Sequence, residues 1–279
     1  MAVIRFAPSP TGRLHRGHAY AALLVELWAE RAGLTVKLRI EDLDPQRSRP
    51  EFVDAIYDDL TWLGFTWTGE PMRQSGRAEA YADALAALAD LGVTYPCFCS
   101  RKDMAEAIAA PHGPDGATYP GTCRDLAAEE AKRRSETEPF AVRIDALKAA
   151  DLAGHLNYTE RGERRMAHPA LLGDVVLARK DAAASYHLAS VVDDAAQGVD
   201  HILRGEDLLP SVHVHRLLQA LLGLPEPRYR HHALVLGDDG QRLAKRNGAR
   251  PLADLRAAGV APDALRCDLT ALAKANRDL

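Results

Sequence analysis

Two histidines near the amino terminus stand where a strand-like segment gives way to a helical one. His15 and His18 follow a predicted strand (3–6) and a turn rich in proline and glycine (8–12), and an alanine- and leucine-rich helical pattern comes next. A helix that begins here presents free backbone N–H groups and the positive end of its dipole. We therefore expect an anion, most simply a nucleotide phosphate, at this turn. The alternative is that both histidines only cap and pack the first helical turn.

A second segment, near the other end of the sequence, concentrates positive charge. Residues 237–250 combine glycines with Arg242, Lys245, Arg246 and Arg250. The glycines predict a loop that can close over a phosphate-bearing ligand. Taken alone, such a run is more often a solvated surface loop.

The two segments together resemble the HIGH and KMSKS motifs of class I aminoacyl-tRNA synthetases. Residues 15–18 match the first motif and residues 242–246 match the second. Arg16 stands where the first motif usually has isoleucine, and Ala244 stands where the second has serine. Further segments in family order narrow the resemblance to the glutamyl- and glutaminyl-tRNA synthetases; they are residues 5–12, 39–44, 191–194 and 203–209.

The resemblance implies an adenylation site. The carboxylate of glutamate attacks the α-phosphorus of ATP and expels pyrophosphate, a step that needs alignment and charge stabilisation and no general base. His15, His18 and Lys245 are the predicted catalytic and ATP-binding residues, with Mg²⁺ accompanying the nucleotide. Arg16 adds a bulky charge to the first motif, and Ala244 removes a hydroxyl from the second.

The same resemblance implies a glutamate pocket built from residues at matching motif positions. The predicted glutamate-binding residues are Arg5, Ala7, Ser9, Glu41, Tyr186 and Arg204. A guanidinium suits the side-chain carboxylate because it pairs in bidentate fashion, so Arg5 and Arg204 are assigned to it and Glu41 to the ammonium group. We leave three neighbours outside the site: Arg39 as an ion-pair partner, and Asp42 and Asp44 as helix caps.

Three of the four cysteines fall within one short stretch. Cys97 and Cys99 are too close to form a comfortable disulfide, and with Cys123 they are better interpreted as metal ligands. A structural zinc ion takes four ligands, and general chemistry favours His112 as the fourth. The resemblance instead assigns that position to Tyr119, which we adopt, so one structural Zn²⁺ is predicted. The remaining Cys267 is predicted to be a small buried hydrophobic residue.

Composition bounds the class of protein. The 279 residues are 47% hydrophobic and 27% charged, which is ordinary for a globular chain. No apolar run approaches the ~18 residues of a membrane span and no signal peptide precedes the first strand, so a cytoplasmic protein is expected. Because the formal charge is −4, RNA contacts must come from local basic patches, at 132–134, 161–165 and 242–256.

The elements that would position these residues alternate between strand and helix. Strands at 3–6 and 36–40 with helices at 17–32, 50–62 and 76–91 predict an α/β fold with a Rossmann-like, doubly wound parallel sheet. We divide the chain into four segments: the first half of the catalytic domain, a zinc-bearing insertion, the second half, and the KMSKS-like loop with a short helical end. Their bounds are residues 1–92, 93–165, 166–232 and 233–279.

A catalytic core of this length with a cysteine-bearing insertion resembles the glutamyl-queuosine tRNA(Asp) synthetases. That family implies L-glutamate, ATP and the anticodon stem-loop of tRNA(Asp) as partners, with glutamate attached to the queuosine base. Only about 30 residues follow Lys245, too few for an anticodon-reading domain of ~100 residues. Two alternatives remain: a truncated glutamyl-tRNA synthetase that acylates a tRNA 3′ end, and a non-catalytic RNA-binding paralogue. A monomer is expected.

Overall fold

A mainly parallel sheet forms the centre of the computed structural model, which describes residues 2–100, 103, 119–236 and 250–278. The strands in chain order are β1 (Val3–Phe6), β2 (Thr35–Ile40), β3 (Met72–Arg73), β4 (Thr94–Cys97), β5 (Ala141–Ile144), β6 (Asn157–Glu160), β7 (Glu163–Met166), β8 (Val176–Ala178), β9 (His201–Gly205) and β10 (Arg228–His232). Seven of them form the sheet β3-β2-β1-β9-β10-β6-β7, in which every described pairing is parallel except that of β6 with β7. The predicted α/β class is confirmed.

Helices follow the strands and cover the sheet. Those described are α1 (Arg16–Ala32), α2 (Pro50–Trp62), α3 (Ala78–Asp90), α4 (Ala128–Thr137), α5 (Ala146–Ala153), α6 (Tyr186–Ala196), α7 (Ser211–Leu221), α8 (Leu252–Ala257) and α9 (Pro262–Ala275). The three helices predicted in the first third of the chain appear within two residues of their expected bounds. Among the described helices, none is long and apolar enough to cross a membrane.

The centre of the sheet contains its topological switch point. From β1 the chain moves outward through β2 and β3, and it later returns to place β9 on the other side of β1. Crossover connections on either side of such a point diverge, which opens a crevice at the carboxyl ends of the strands. The turn after β1, the start of α1 and the end of β9 therefore meet at one crevice.

Apolar packing holds α1 against the sheet. Ile4 on β1 and Leu24 on α1 belong to one buried cluster with Leu38 on β2 and Leu269 on α9. His15 caps the start of this helix, and its Nδ1 accepts a hydrogen bond from the backbone N–H of Gly17 at 3.1 Å. A Cβ on Gly17 would lie only 3.0 Å from the His15 ring, so glycine lets the ring fold over the first turn.

A second, smaller sheet carries the cysteines. It is antiparallel, in the order β4-β5-β8, and Cys97 is the last residue of β4. The hairpin of β6 and β7 (157–166) instead extends the main sheet, although most of it lies in the segment predicted as the insertion. The four-segment division of the chain stays a prediction.

The prediction that Cys267 is buried was wrong, because its side chain is exposed. The buried residues of α9 are Leu265, Leu269 and Ala273, which recur every four positions and form one stripe against the core. Cys267 lies two positions from that stripe and so faces away from it. Its place on the helix outweighs the usual tendency of cysteine to be buried.

Candidate active site

A cavity of about 650 Å³ opens at the switch point. All of the predicted glutamate- and ATP-site residues that the structure describes line it: Arg5, Ala7, Ser9, His15, His18, Glu41, Tyr186 and Arg204. They come from β1 and its turn, the start of α1, the end of β2, the start of α6 and β9. Lys245, Arg242 and Arg246 lie outside the described residues. The roles assigned to these side chains stay predictions.

The rings of the two histidines are in contact at the start of α1, with their planes tilted by 54°. Their ring centroids are 4.0 Å apart, and the backbone N–H of His15 donates to Nδ1 of His18 at 3.2 Å. Each ring thus accepts a backbone hydrogen bond at Nδ1, and a neutral imidazole that accepts there carries its proton on Nε2. The capping role is present, and it also sets the tautomer in which Nε2 of each ring is a donor.

A buried charge network fixes the floor of the cavity. Oδ1 of Asp194 accepts from Nε of Arg5 at 3.0 Å and from Nη1 of Arg39 at 2.7 Å, and Nη2 of Arg39 reaches Oε1 of Glu41 at 3.4 Å. Burial alone would raise the pKa of Asp194, but Arg39 and Arg5 outweigh it and lower that pKa. Burial does raise the pKa of Glu41, against the pull of Arg39. The charge of Arg5 is therefore balanced within the protein.

Arg204 differs from Arg5 in having only neutral acceptors. Its Nη1 donates to the Tyr186 hydroxyl at 3.0 Å, its Nη2 to the Leu208 carbonyl at 3.1 Å and its Nε to Nε2 of His231 at 3.0 Å. Among the described residues no carboxylate lies within ion-pair distance of this guanidinium, which is only 6% exposed. A buried cation without a counter-ion is costly. The cavity is therefore prepared for an anionic group beside Arg204.

The residues that we left outside the site have structural partners. Arg39 is fully buried in the Asp194 network, as the ion-pair interpretation predicted. Asp42 accepts from the backbone and hydroxyl of Ser75, both at 2.8 Å. Asp44 accepts from backbone N–H groups of residues 46 and 47, in a turn that precedes α2. The prediction that Asp42 and Asp44 cap the helix was wrong, because α2 begins at Pro50 after Arg49 and has no side-chain cap. Asp194 was not among the predicted site residues, although residues 191–194 are one of the segments that resemble the family.

The cysteine cluster lies at the end of the small sheet. The sulfur atoms of Cys97, Cys99 and Cys123 are all within 4.8 Å of one another, and those of Cys99 and Cys123 are 3.5 Å apart. The Tyr119 hydroxyl lies 3.5 Å from the sulfurs of Cys97 and Cys99. Zn–S bonds of about 2.3 Å give tetrahedral edges of about 3.8 Å, so a metal ion fits this group of atoms after a small expansion. His112 lies outside the described residues.

The pKa values of two of the thiols are shifted in opposite directions, one by hydrogen bonding and the other by burial. Burial disfavours the Cys97 thiolate, but hydrogen bonds with Tyr119 and Arg143 outweigh burial and lower the pKa of Cys97. Burial raises the pKa of Cys99 to about 11 and also raises that of Tyr119. A bound cation would supply the charge that lets these groups ionise.

Comparison with known proteins gives a consistent set of relatives. A family model described as the catalytic domain of class I tRNA synthetases (E and Q) matches residues 1–273. A Glutamyl-Q tRNA(Asp) synthetase of Rhodobacter capsulatus is 45% identical over 272 residues, which cover 95% of this chain and 98% of the relative. One from Nocardia farcinica is 46% identical over 268 residues, covering 95% of this chain and 83% of the relative.

A solved structure agrees with this set. The crystal structure of glutamate-tRNA synthetase from Elizabethkingia anophelis superimposes with a TM-score of 0.74 at 31% identity. The match covers 88% of this chain and 53% of the other, so this chain spans about half the length of that synthetase.

Proposed function

We propose a glutamate-activating, RNA-modifying role, because the chain belongs to the family of class I glutamyl- and glutaminyl-tRNA synthetase catalytic domains and is a ligase of that class. In this proposal the protein converts L-glutamate and ATP to glutamyl-adenylate and transfers the glutamyl group to queuosine in the anticodon of tRNA(Asp). The observation that carries the activation step is Arg204, a buried guanidinium without a described carboxylate partner in the cavity beside His15 and His18. An amino acid with a second carboxylate supplies the missing charge.

Activation begins with glutamate aligned in the cavity. Arg204 and the Tyr186 hydroxyl bind the side-chain carboxylate, while Arg5 is held by Asp194 and shapes the floor. Glu41 receives the ammonium group, whose charge favours the ionised form that burial otherwise disfavours. The α-carboxylate then points to the ATP phosphates near Ser9 and the start of α1.

The chemical step requires charge stabilisation in place of proton transfer. An oxygen of the α-carboxylate forms a bond to the α-phosphorus of ATP as the bond to the bridging oxygen breaks, and pyrophosphate carries the electron pair away. The Nε2–H groups of His15 and His18 and the ammonium of Lys245 hold the triphosphate and the departing charge. Mg²⁺, when bound with ATP, neutralises part of the phosphate charge.

Transfer to the anticodon base is supported by what the relatives are called and by how much of their length this chain matches. The relative from Rhodobacter capsulatus is called a Glutamyl-Q tRNA(Asp) synthetase, and 98% of its length is matched. In this proposal, the exposed cations Arg250 and Arg256, which follow the KMSKS-like loop, contact backbone phosphates of a stem-loop that enters the cavity. A 3′-terminal ribose is the competing acceptor.

The acceptor is tested by labelling two matched RNAs. Purified protein, ATP and radiolabelled glutamate should label tRNA(Asp) that carries queuosine and leave the same tRNA without queuosine unlabelled. The label should remain after nuclease removal of the 3′-terminal adenosine. Loss of the label with that adenosine would identify a 3′-acylating synthetase, and a protein that catalyses no glutamate-dependent exchange between ATP and pyrophosphate would be the non-catalytic alternative.

We further propose that the cysteine cluster holds one structural Zn²⁺, with Tyr119 as the fourth ligand. The support is the donor set: three sulfurs and one hydroxyl at spacings near those of a tetrahedral site. Removing one thiolate should therefore loosen the metal and the strands beside it, and leave the cavity intact because the cluster is not among its lining residues.

Replacing Cys99 with serine should lower bound zinc from about one ion per chain to well below half, and should lower the melting temperature by several degrees. Metal analysis and calorimetry measure both quantities, with pyrophosphate exchange expected to stay within about twofold. Cys267→Ser is the matched control because that thiol is exposed and outside the cluster. Carefully purified wild-type protein without zinc would overturn the site.

Tyr119→Phe decides the fourth ligand, since unchanged zinc retention would favour His112.

A further inference from the structure

A glutamate and a histidine stand behind Arg204, outside the cavity lining. Glu160 is 3% exposed and His231 is 4% exposed. The Glu160 carboxylate accepts from the backbone N–H of His231 at 2.9 Å through Oε1, and Oε2 lies 2.8 Å from Nδ1 of the same residue. On the other edge of the ring, Nε2 of His231 lies 3.0 Å from Nε of Arg204. The three side chains thus form one buried chain that ends at the cavity.

The donors and acceptors of these three side chains allow one hydrogen-bonding arrangement when the His231 ring is neutral. The Nε–H of arginine can only donate, so Nε2 of His231 must accept and carries no proton. The proton of the neutral ring then lies on Nδ1, where the Glu160 carboxylate accepts it. Glu160 therefore selects the tautomer that presents a lone pair to Arg204.

The hairpin of β6 and β7 is what brings Glu160 to this place. β6 pairs in parallel with β10, with Glu160 in register with Tyr229, two positions from His231. The hairpin turns at Arg161 and Gly162, whose φ angles of 51° and 87° suit a tight two-residue turn. Arg161 then donates to the His231 carbonyl and to Asp278, which ties the turn to the chain's last described residue.

We propose that Glu160 and His231 are positioning residues for substrate recognition: they orient the Arg204 guanidinium so that its remaining N–H groups face the carboxylate of the bound amino acid. The inference rests on the proposed glutamate site. Tyr186 and the Leu208 carbonyl direct the two Nη atoms, and His231 directs Nε, so the plane of the guanidinium is determined at three points. Orientation matters because bidentate recognition of a carboxylate depends on that plane.

Protonation of His231 would break this arrangement. A proton on Nε2 would face the Nε–H of Arg204, placing donor against donor and charge against charge. Burial, aided by Arg204, lowers the pKa of His231, while Glu160 opposes this shift. Glutamate affinity should consequently fall as the pH drops through that lowered pKa.

Other ionisable groups face the same region and set the background for any pH profile. Arg161 contacts the His231 carbonyl, the ring of Tyr229 stacks near His231, and His232 follows on the same strand. His215 of α7 lies 3.4 Å from Arg204, and its pKa is also lowered, by burial first and then by Arg204. These groups and Glu41 are present in every variant tested. A difference between the pH profiles of the variants therefore reports the titration of His231.

Glutamate binding to the intact protein, measured by isothermal titration calorimetry, tests the proposal. Glu160→Gln removes the charge that selects the tautomer, so the Kd for L-glutamate should rise about tenfold. The Kd for ATP should stay within about twofold. His231→Gln keeps an acceptor near the Nε2 position but cannot titrate; its glutamate Kd should stay within about threefold at pH 7.5 and rise less than that of the wild type toward pH 5.

Tyr229→Phe is the matched control, since Tyr229 is buried beside His231 and its hydroxyl bonds to Gln219 instead. It should leave the glutamate Kd unchanged. A glutamate Kd that does not change in Glu160→Gln, or that changes equally with the Kd for ATP, would overturn the positioning role. If Glu160→Gln does not fold, identical pH profiles for wild type and His231→Gln would overturn it.

Failure of the proposed function can be distinguished from failure of the positioning role. A wild-type protein that binds glutamate but does not exchange pyrophosphate contradicts the activation step alone, and the positioning role is still decided by the binding constants. A wild-type protein that binds no glutamate contradicts both.

Discussion

Replacing Arg204 with alanine should lower kcat/KM for glutamate in pyrophosphate exchange by about 10²–10³-fold, because a buried carboxylate loses its charged partner. Most of the change should appear in KM for glutamate, since the guanidinium binds a part of the substrate that does not react. KM for ATP is the internal control and should change by less than about threefold. Initial rates measured over a range of glutamate concentrations give these values.

A conservative variant separates charge from geometry. Arg204→Lys retains the positive charge but lacks the planar fork, and lysine cannot satisfy Tyr186, Leu208 and His231 together. Its activity should fall between those of the wild type and the alanine variant. If both variants bind glutamate as the wild type does, Arg204 is not the carboxylate partner, and the ion-paired Arg5 becomes the better assignment.

Replacing Lys245 with alanine should lower kcat for pyrophosphate exchange by about 10²–10³-fold, because its charge is needed most when the phosphate bonds rearrange. KM for glutamate should stay within about threefold, as expected for an interaction made mainly in the transition state. Steady-state exchange rates at saturating ATP and glutamate measure the effect.

Lys274→Ala controls for the loss of a lysine, since that side chain is exposed on α9. It should leave kcat unchanged. A Lys245→Ala variant that raises both KM values and keeps kcat would show that this lysine binds substrate without acting in the chemical step. The basic loop would then be a binding element alone.

Local features of the site could be predicted because they depend on neighbours in sequence. The turn at 8–12 and the start of α1 follow from proline, glycine and a helical apolar pattern, which act over a few residues. The resemblance of 39–44 and 203–209 to known motifs then selected Glu41 and Arg204. The structure places them in one cavity with His15 and His18. That grouping follows from parallel strands whose carboxyl ends share one edge of a sheet.

The sequence by itself thus determined the α/β class, the bounds of its early helices and eight of the residues that line the cavity. Only the tertiary structure decided how the charges are paired. Asp194 neutralises Arg5 across 189 positions, and Glu160 reaches His231 across 71. Nothing local selects one carboxylate over another, because ion pairs form between side chains that the packing of distant strands and helices brings within about 3 Å. The same packing leaves Arg204 with neutral partners, which is the basis of our proposal that it binds the substrate carboxylate.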